Sequence, residues 1–127
     1  MTADQDSKRK DPGLHWIQGA HKKGISTDPE LIYYGQNSGF QCLNIAYLMG
    51  ATRIILIGYD MRLRGDHSHW FGEHPDKVRS SYLPWLNNFG VAGAQLSELG
   101  VEVINCTPGS ALTCFPSRDL DTALARC

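Results

Sequence analysis

The sequence predicts an α/β fold of the doubly wound kind: three layers, αβα, around a short and mainly parallel sheet. Three stretches carry that reading. Asn37-Ser38-Gly39 opens a helix whose apolar residues recur at Phe40, Leu43, Ala46 and Tyr47, with Gly50 as its stop. Ile54-Ile55-Leu56-Ile57 then runs without polar alternation, as a strand covered on both faces would, and delivers Asp60 at its carboxyl end. A second helix and strand follow, from Tyr82 to Asn105, in the order that a right-handed crossover between parallel strands requires.

Taken in order, residues 1–13 are polar and close on Asp11-Pro12-Gly13, the composition of a disordered lead-in. The single α/β domain is expected over residues 14–127. Leu14–Ile17 and Leu31–Tyr34 read as short strands, separated by a loop from Gly24 to Pro29. After the central helix and strand comes a long loop, Met61 to Ser80, rich in His, Asp, Gly and Arg. The next helix begins near Ser81 or Tyr82 with Pro84 in its first turn, where the missing N–H costs nothing, and runs to Leu99 before Gly100. Val101–Asn105 is the second parallel strand. Thr107-Pro108-Gly109-Ser110 turns the chain into a short helix, Ala111–Phe115, which Pro116 stops, and Ser117 or Asp119 caps a last helix through Leu124.

A length of 127 residues with 42% hydrophobic and 20% charged composition fits one soluble globular domain of modest core. A formal net charge of −1, with Lys8-Arg9-Lys10 the only basic run, leaves no electrostatic footprint for nucleic acid or an anionic membrane. No stretch approaches a membrane span and the polar start lacks the apolar core of a signal peptide, so a cytoplasmic location is expected. Cys42, Cys106, Cys114 and Cys127 show no CxxC spacing and read as reduced thiols, Cys42 and Cys106 as core residues. A sheet with only two strong strands leaves an apolar edge. That edge implies either self-association into a homo-oligomer or an amino-terminal half supplied elsewhere, unless the amino-terminal segment itself adds two strands and closes it.

Polar residues gather where such a sheet binds ligands. Asn37–Gly39, Asp60–His74 and Thr107–Ser110 all fall at strand-to-helix turns, and in open α/β sheets these converge on one rim. Two helix starts on one rim offer N–H donors and positive dipole ends to a phosphate, although the same residues also make ordinary caps and turns. Arg62 and Arg64 follow Asp60 closely enough to clamp phosphate oxygens through their planar forks. The stretch Gly65–Pro75 holds three of the five histidines, His67, His69 and His74, beside Trp70 and Phe71. A histidine there is suited to act as general base on a substrate hydroxyl. With Asp66 and Glu73 it could instead hold a divalent metal, but the spacing matches no metal box, so no metal ligands and no cofactor are expected.

Three blocks together carry a family resemblance: Ser38–Asp60, the segment His69-Trp70-Phe71-Gly72-Glu73-His74, and Val103–Phe115. In that order they resemble the carboxyl-terminal part of the bacterial lipooligosaccharide sialyltransferases and the related DUF115-type proteins, small phage and prophage proteins among them. The resemblance spans about Tyr34 to Pro116. It implies a Rossmann-like fold, a nucleotide or nucleotide-sugar partner with a CMP-sugar as donor, no metal, and a histidine of the mobile loop as general base. Carried over by position, it implies that Ser38 and Gly39 contact the nucleotide, that Asp60 is the strand-end aspartate, and that His74 or His69 is catalytic. Pro108 and Ser110 match the family's last turn, which would line the same cleft, while Asn37, Thr107 and Gly109 belong to the candidate binding residues by their places on the rim. Arg62 stands where the family has a tyrosine that steadies the leaving phosphate, and the family's amino-terminal half, with its first nucleotide-binding loop, has no counterpart here. The expected function is therefore a nucleotide or nucleotide-sugar binding domain of glycosyltransferase type. The alternatives are a non-enzymatic phage or prophage interaction module and a metal-dependent hydrolase that uses the histidine loop.

Overall fold

The computed structural model describes residues 12–62 and 82–125. They form a mixed α/β chain with two two-stranded parallel sheets and, among the described residues, three helices. The chain divides into two compact units, with the boundary between Ala51 and Thr52.

In the first unit β1 (Gln18–Ala20) pairs in parallel with β2 (Leu31–Tyr33), Gln18 opposite Leu31 and Ala20 opposite Tyr33. β1 thus lies one step beyond the expected Leu14–Ile17. Its own hydrophobicity does not define it: the pairing residues are Gln18, Gly19 and Ala20, and what holds them is the ladder to Leu31–Tyr33. Ile17, Ile25 and Ile32 are buried in this unit together with Phe40 and Leu43.

Helix α1 (Ser38–Leu48) starts where its cap predicts, with the Asn37 side chain accepting from the Phe40 N–H at 3.0 Å. Its buried face is Phe40, Leu43 and Asn44, at the i, i+3, i+4 spacing of one helical side. Cys42, expected in the core, is exposed, because two residues beyond Phe40 at 100° each it points to the opposite side. The third buried residue is polar. Asn44 is 0% exposed, and its amide brackets two loops: Oδ1 accepts from the N–H of Ser26 (2.9 Å) and of Tyr33 (3.1 Å), while Nδ2 donates to the Ser26 carbonyl (2.9 Å). The connection from β1 to β2 contains no helix, and this one side chain supplies the fixed points that a crossover helix would otherwise provide.

In the second unit β3 (Arg53–Leu56) and β4 (Glu102–Asn105) pair in parallel, Arg53 opposite Glu102 and Leu56 opposite Asn105. The opposed ends of that first pair also form an ion pair, Arg53 Nε to Glu102 Oε2 at 2.9 Å. Burial along β3 alternates, with Ile54 and Leu56 inside, and Ile57, expected to be covered, is 61% exposed just past the strand. Ile55 packs against the buried group of Ile104, Cys106 and Ala123. Helix α2 (Tyr82–Glu98) buries Phe89, Ala92 and Leu96, again one helical side, and lies against β4. After α1 and α2 the chain turns through Gly50 and Gly100, both left-handed at φ 88° and 75°.

Residues 111–115, expected as a short helix, form turns instead. Pro116 has no N–H to return to the Leu112 carbonyl, so the stretch cannot close a helical bond there, and side chains take up the backbone groups of Leu112 instead. Ser110 Oγ takes the Leu112 N–H at 3.0 Å, and the buried Asn105 amide takes the Leu112 carbonyl at 3.2 Å. The chain then crosses the end of β4, where Asn105 donates its N–H to the Pro116 carbonyl (2.8 Å) and accepts from the Arg118 N–H (3.2 Å). Helix α3 (Leu120–Leu124) follows, capped by Asp119, whose carboxylate accepts the Thr122 N–H at 2.8 Å.

Candidate functional site

Parallel strands end together, so the turns that follow β3 and β4 must meet at one edge. They do, through hydroxyl groups. Thr107, buried, accepts the Tyr59 N–H on its Oγ1 at 2.9 Å, and Ser110 donates its hydroxyl to the Tyr59 carbonyl. One residue further on, the Asp60 carbonyl accepts the Ala111 N–H at 2.9 Å, and the Cys106 N–H reaches the Leu56 carbonyl at 2.8 Å. Behind the turn Asn105, 2% exposed, accepts the Thr107 N–H at 3.0 Å. The Tyr59 ring meets Phe89 edge-on with centroids 5.9 Å apart, and Phe89 meets Phe115 in the same way at 6.4 Å. The edge is therefore braced from beneath by aromatic packing and across its top by hydrogen bonds.

Arg62 lies on this braced edge. Met61 adopts a left-handed φ of 51°, uncommon for a side-chain-bearing residue, and Arg62 follows it. The Arg62 guanidinium lies over Gly109: a Cβ built on that glycine would stand 2.7 Å from the Arg62 Nη2. Gly109 itself has φ 65°, so the turn needs glycine both for its backbone and for the close approach of the arginine.

Of the residues singled out from sequence, Asp60, Arg62, Thr107, Gly109 and Ser110 are brought together here. Thr107 and Ser110 use their hydroxyls to hold Tyr59 in place, so they position the edge. Asn37, Ser38 and Gly39 lie in the first unit, at the turn after β2 that opens α1, with Asn37 engaged as the cap. His69 and His74, with the rest of the histidine loop, lie outside the described residues. Among the described residues no three His, Cys, Asp or Glu side chains are grouped closely enough to hold a metal ion, and no helix is long and apolar enough to cross a membrane.

The buried amides of Asn44 and Asn105 escaped the sequence reading. Both sit within apolar periodicities, where an asparagine gives no sign of being turned inward. Within the first unit the same blindness covers the turn after β1: the His21 ring packs on Tyr34 at 4.8 Å, and the Lys22 Nζ stands 5.8 Å from the Tyr33 ring centre.

These features define a small α/β chain of parallel strands with a polar, internally braced carboxyl edge. Compared with models of protein families, with curated proteins and with solved structures, the chain finds no match in any of the three.

Proposed function

We propose that this chain is a Rossmann-like α/β domain that binds a nucleotide or nucleotide sugar, with the phosphate at the carboxyl edge of β3 and β4. The observation that carries the reading is the Arg62 guanidinium laid over Gly109 on an edge whose two turns are bonded to each other. A preformed edge at the carboxyl ends of parallel strands is where α/β proteins take their ligands, and a guanidinium there matches a phosphate in charge and shape. The resemblance of the three sequence blocks to the sialyltransferase-type proteins supports the same ligand class.

That resemblance extends the proposal to glycosyl transfer. His74 or His69 would take the proton of the acceptor hydroxyl, and Arg62 would stabilise the departing nucleotide phosphate. Calorimetric titration with CMP, CDP and UDP tests binding directly. The expected result is saturable binding of at least one nucleotide, weakened by Arg62→Ala in a protein with an unchanged circular dichroism spectrum. No heat from any of the three at millimolar concentration would remove the reading.

A further inference from the structure

The turn after β4 can be accounted for donor by donor. Thr107 gives its N–H to Asn105 Oδ1 (3.0 Å), Ser110 to the Thr107 carbonyl (3.3 Å), Ala111 to the Asp60 carbonyl (2.9 Å) and Leu112 to Ser110 Oγ (3.0 Å). Pro108 has no N–H to give. Gly109 is the exception: its N–H has no protein partner among the described residues, and the residue is exposed. Arg62 likewise is exposed and has no acceptor among the described residues. The two unengaged donor groups are neighbours. A Cβ stands about 2.5 Å from its own backbone nitrogen in standard geometry. The Arg62 Nη2 that lies 2.7 Å from that position is therefore at most about 5 Å from the Gly109 nitrogen.

We propose that the Gly109 N–H and the Arg62 guanidinium form an oxyanion pair that grips one phosphate group, with Gly109 as the residue that positions the arginine. The proposal deepens the nucleotide reading of this edge and rests on it for the source of the phosphate. Donors at most about 5 Å apart can each reach a different oxygen of one phosphate at hydrogen-bonding distance. A phosphate offers a separate oxygen to each donor and a negative charge to the guanidinium, which a neutral carbonyl or hydroxyl ligand does not. Gly109 serves twice, since it supplies the backbone donor and, by lacking a Cβ, the space in which Arg62 rests.

Uniformly ¹⁵N-labelled protein titrated at constant ionic strength with inorganic phosphate, and separately with CMP, tests the pair through the Gly109 amide and the Arg62 Nε–Hε resonances. Both should shift saturably with each probe. Arg62→Ala and Gly109→Ala should each weaken CMP binding about tenfold or more, the loss expected for a charge-assisted hydrogen bond, and Arg62→Lys should recover only part. If Gly109→Ala fails to fold, the wild-type resonances and the exposed Arg62→Ala decide alone. Shifts at other amides with CMP while Gly109 and Arg62 stay unmoved would overturn the pair and leave nucleotide binding standing. Shifts with phosphate but with no nucleotide would keep the pair and remove the nucleotide reading. Equal, unsaturating drift of many surface amides would mark general ion binding and overturn the proposal.

Discussion

Replacing Asn44 by alanine should unfold the first unit well before the wild type. The amide is fully enclosed and makes three hydrogen bonds, to the N–H of Ser26, the N–H of Tyr33 and the carbonyl of Ser26, between 2.9 and 3.1 Å. Alanine leaves all three backbone groups unmet, in a place where Ser26 is itself buried. At roughly 1 kcal/mol for each unmet group the loss is about 3 kcal/mol, and desolvation of the stranded groups raises rather than lowers it. With a urea dependence of about 2 kcal/mol per molar for a chain of this size, the midpoint should fall by about 1.5 M. Urea titration followed by far-ultraviolet circular dichroism, with Trp16 fluorescence in a Trp70→Phe, Trp85→Phe background as a reporter within the first unit, reads that shift. Asn44→Asp is the sharper companion. It keeps the acceptor for Ser26 and Tyr33 but sets a carboxylate oxygen against the Ser26 carbonyl, which only the protonated acid can satisfy. Its folded-state pKa must then rise above the unfolded value of about 3.9. Stability present below that value is lost as pH rises through the folded pKa, so this variant should be firmer at pH 4 than at pH 7. An Asn44→Ala midpoint within about 0.3 M of wild type would refute the argument, since at that slope the three bonds would together contribute less than about 0.6 kcal/mol.

Three further outcomes follow from the second unit. Thr107→Val deletes the acceptor of the Tyr59 N–H inside a buried side-chain site and should lower stability by about 1–2 kcal/mol, read as a reduced urea midpoint with faster exchange of the Tyr59 amide. The Thr122 hydroxyl and N–H beside the Asp119 carboxylate hold its pKa below the ordinary value. The capping contribution is therefore present above the unfolded pKa and is lost as pH falls through the lower folded one, so the protection of the Ala123 amide in α3, its exchange taken relative to the intrinsic rate at the same pH, should fall in acid, and Asp119→Asn should flatten that dependence while keeping the cap. Cys114 is exposed, yet loss of hydration around its thiol pushes it up to about 11 from 9.0, about a hundredfold less thiolate. Alkylation by iodoacetamide at pH 7.5, followed by peptide mass spectrometry, should leave Cys114 largely unmodified.

The parts of the fold legible in sequence are those whose own residues decide them. α1 and α2 repeat apolar residues on one side and end on glycine, and β3 with β4 concentrates branched residues in short runs, so each stands within a residue or two of its expected bounds. β1 and residues 111–115 are decided from elsewhere. Gln18–Ala20 becomes a strand because Leu31–Tyr33 offers it a ladder, and the backbone groups of Leu112 are held by Asn105 and Ser110. The candidate edge was half legible. Its members could be named from their places after strands, but that Thr107 and Ser110 would be occupied in holding Tyr59, and that Arg62 would settle over Gly109, depends on contacts between segments far apart in the chain.

The bridge of Asn105 to the stretch around Ser117 also bears on whether the outer side of β4 can be extended by another strand. Pro116 and Arg118 cover the carboxyl-terminal end of β4 with bonds to one residue only, and the proline offers no donor on its outer side. A strand from another molecule that sought to extend the ladder there would first have to peel this tether away, and would then meet a backbone with a gap in its hydrogen-bonding row. The bridge thus acts as a stop against edge-to-edge growth, at no greater expense than one short loop.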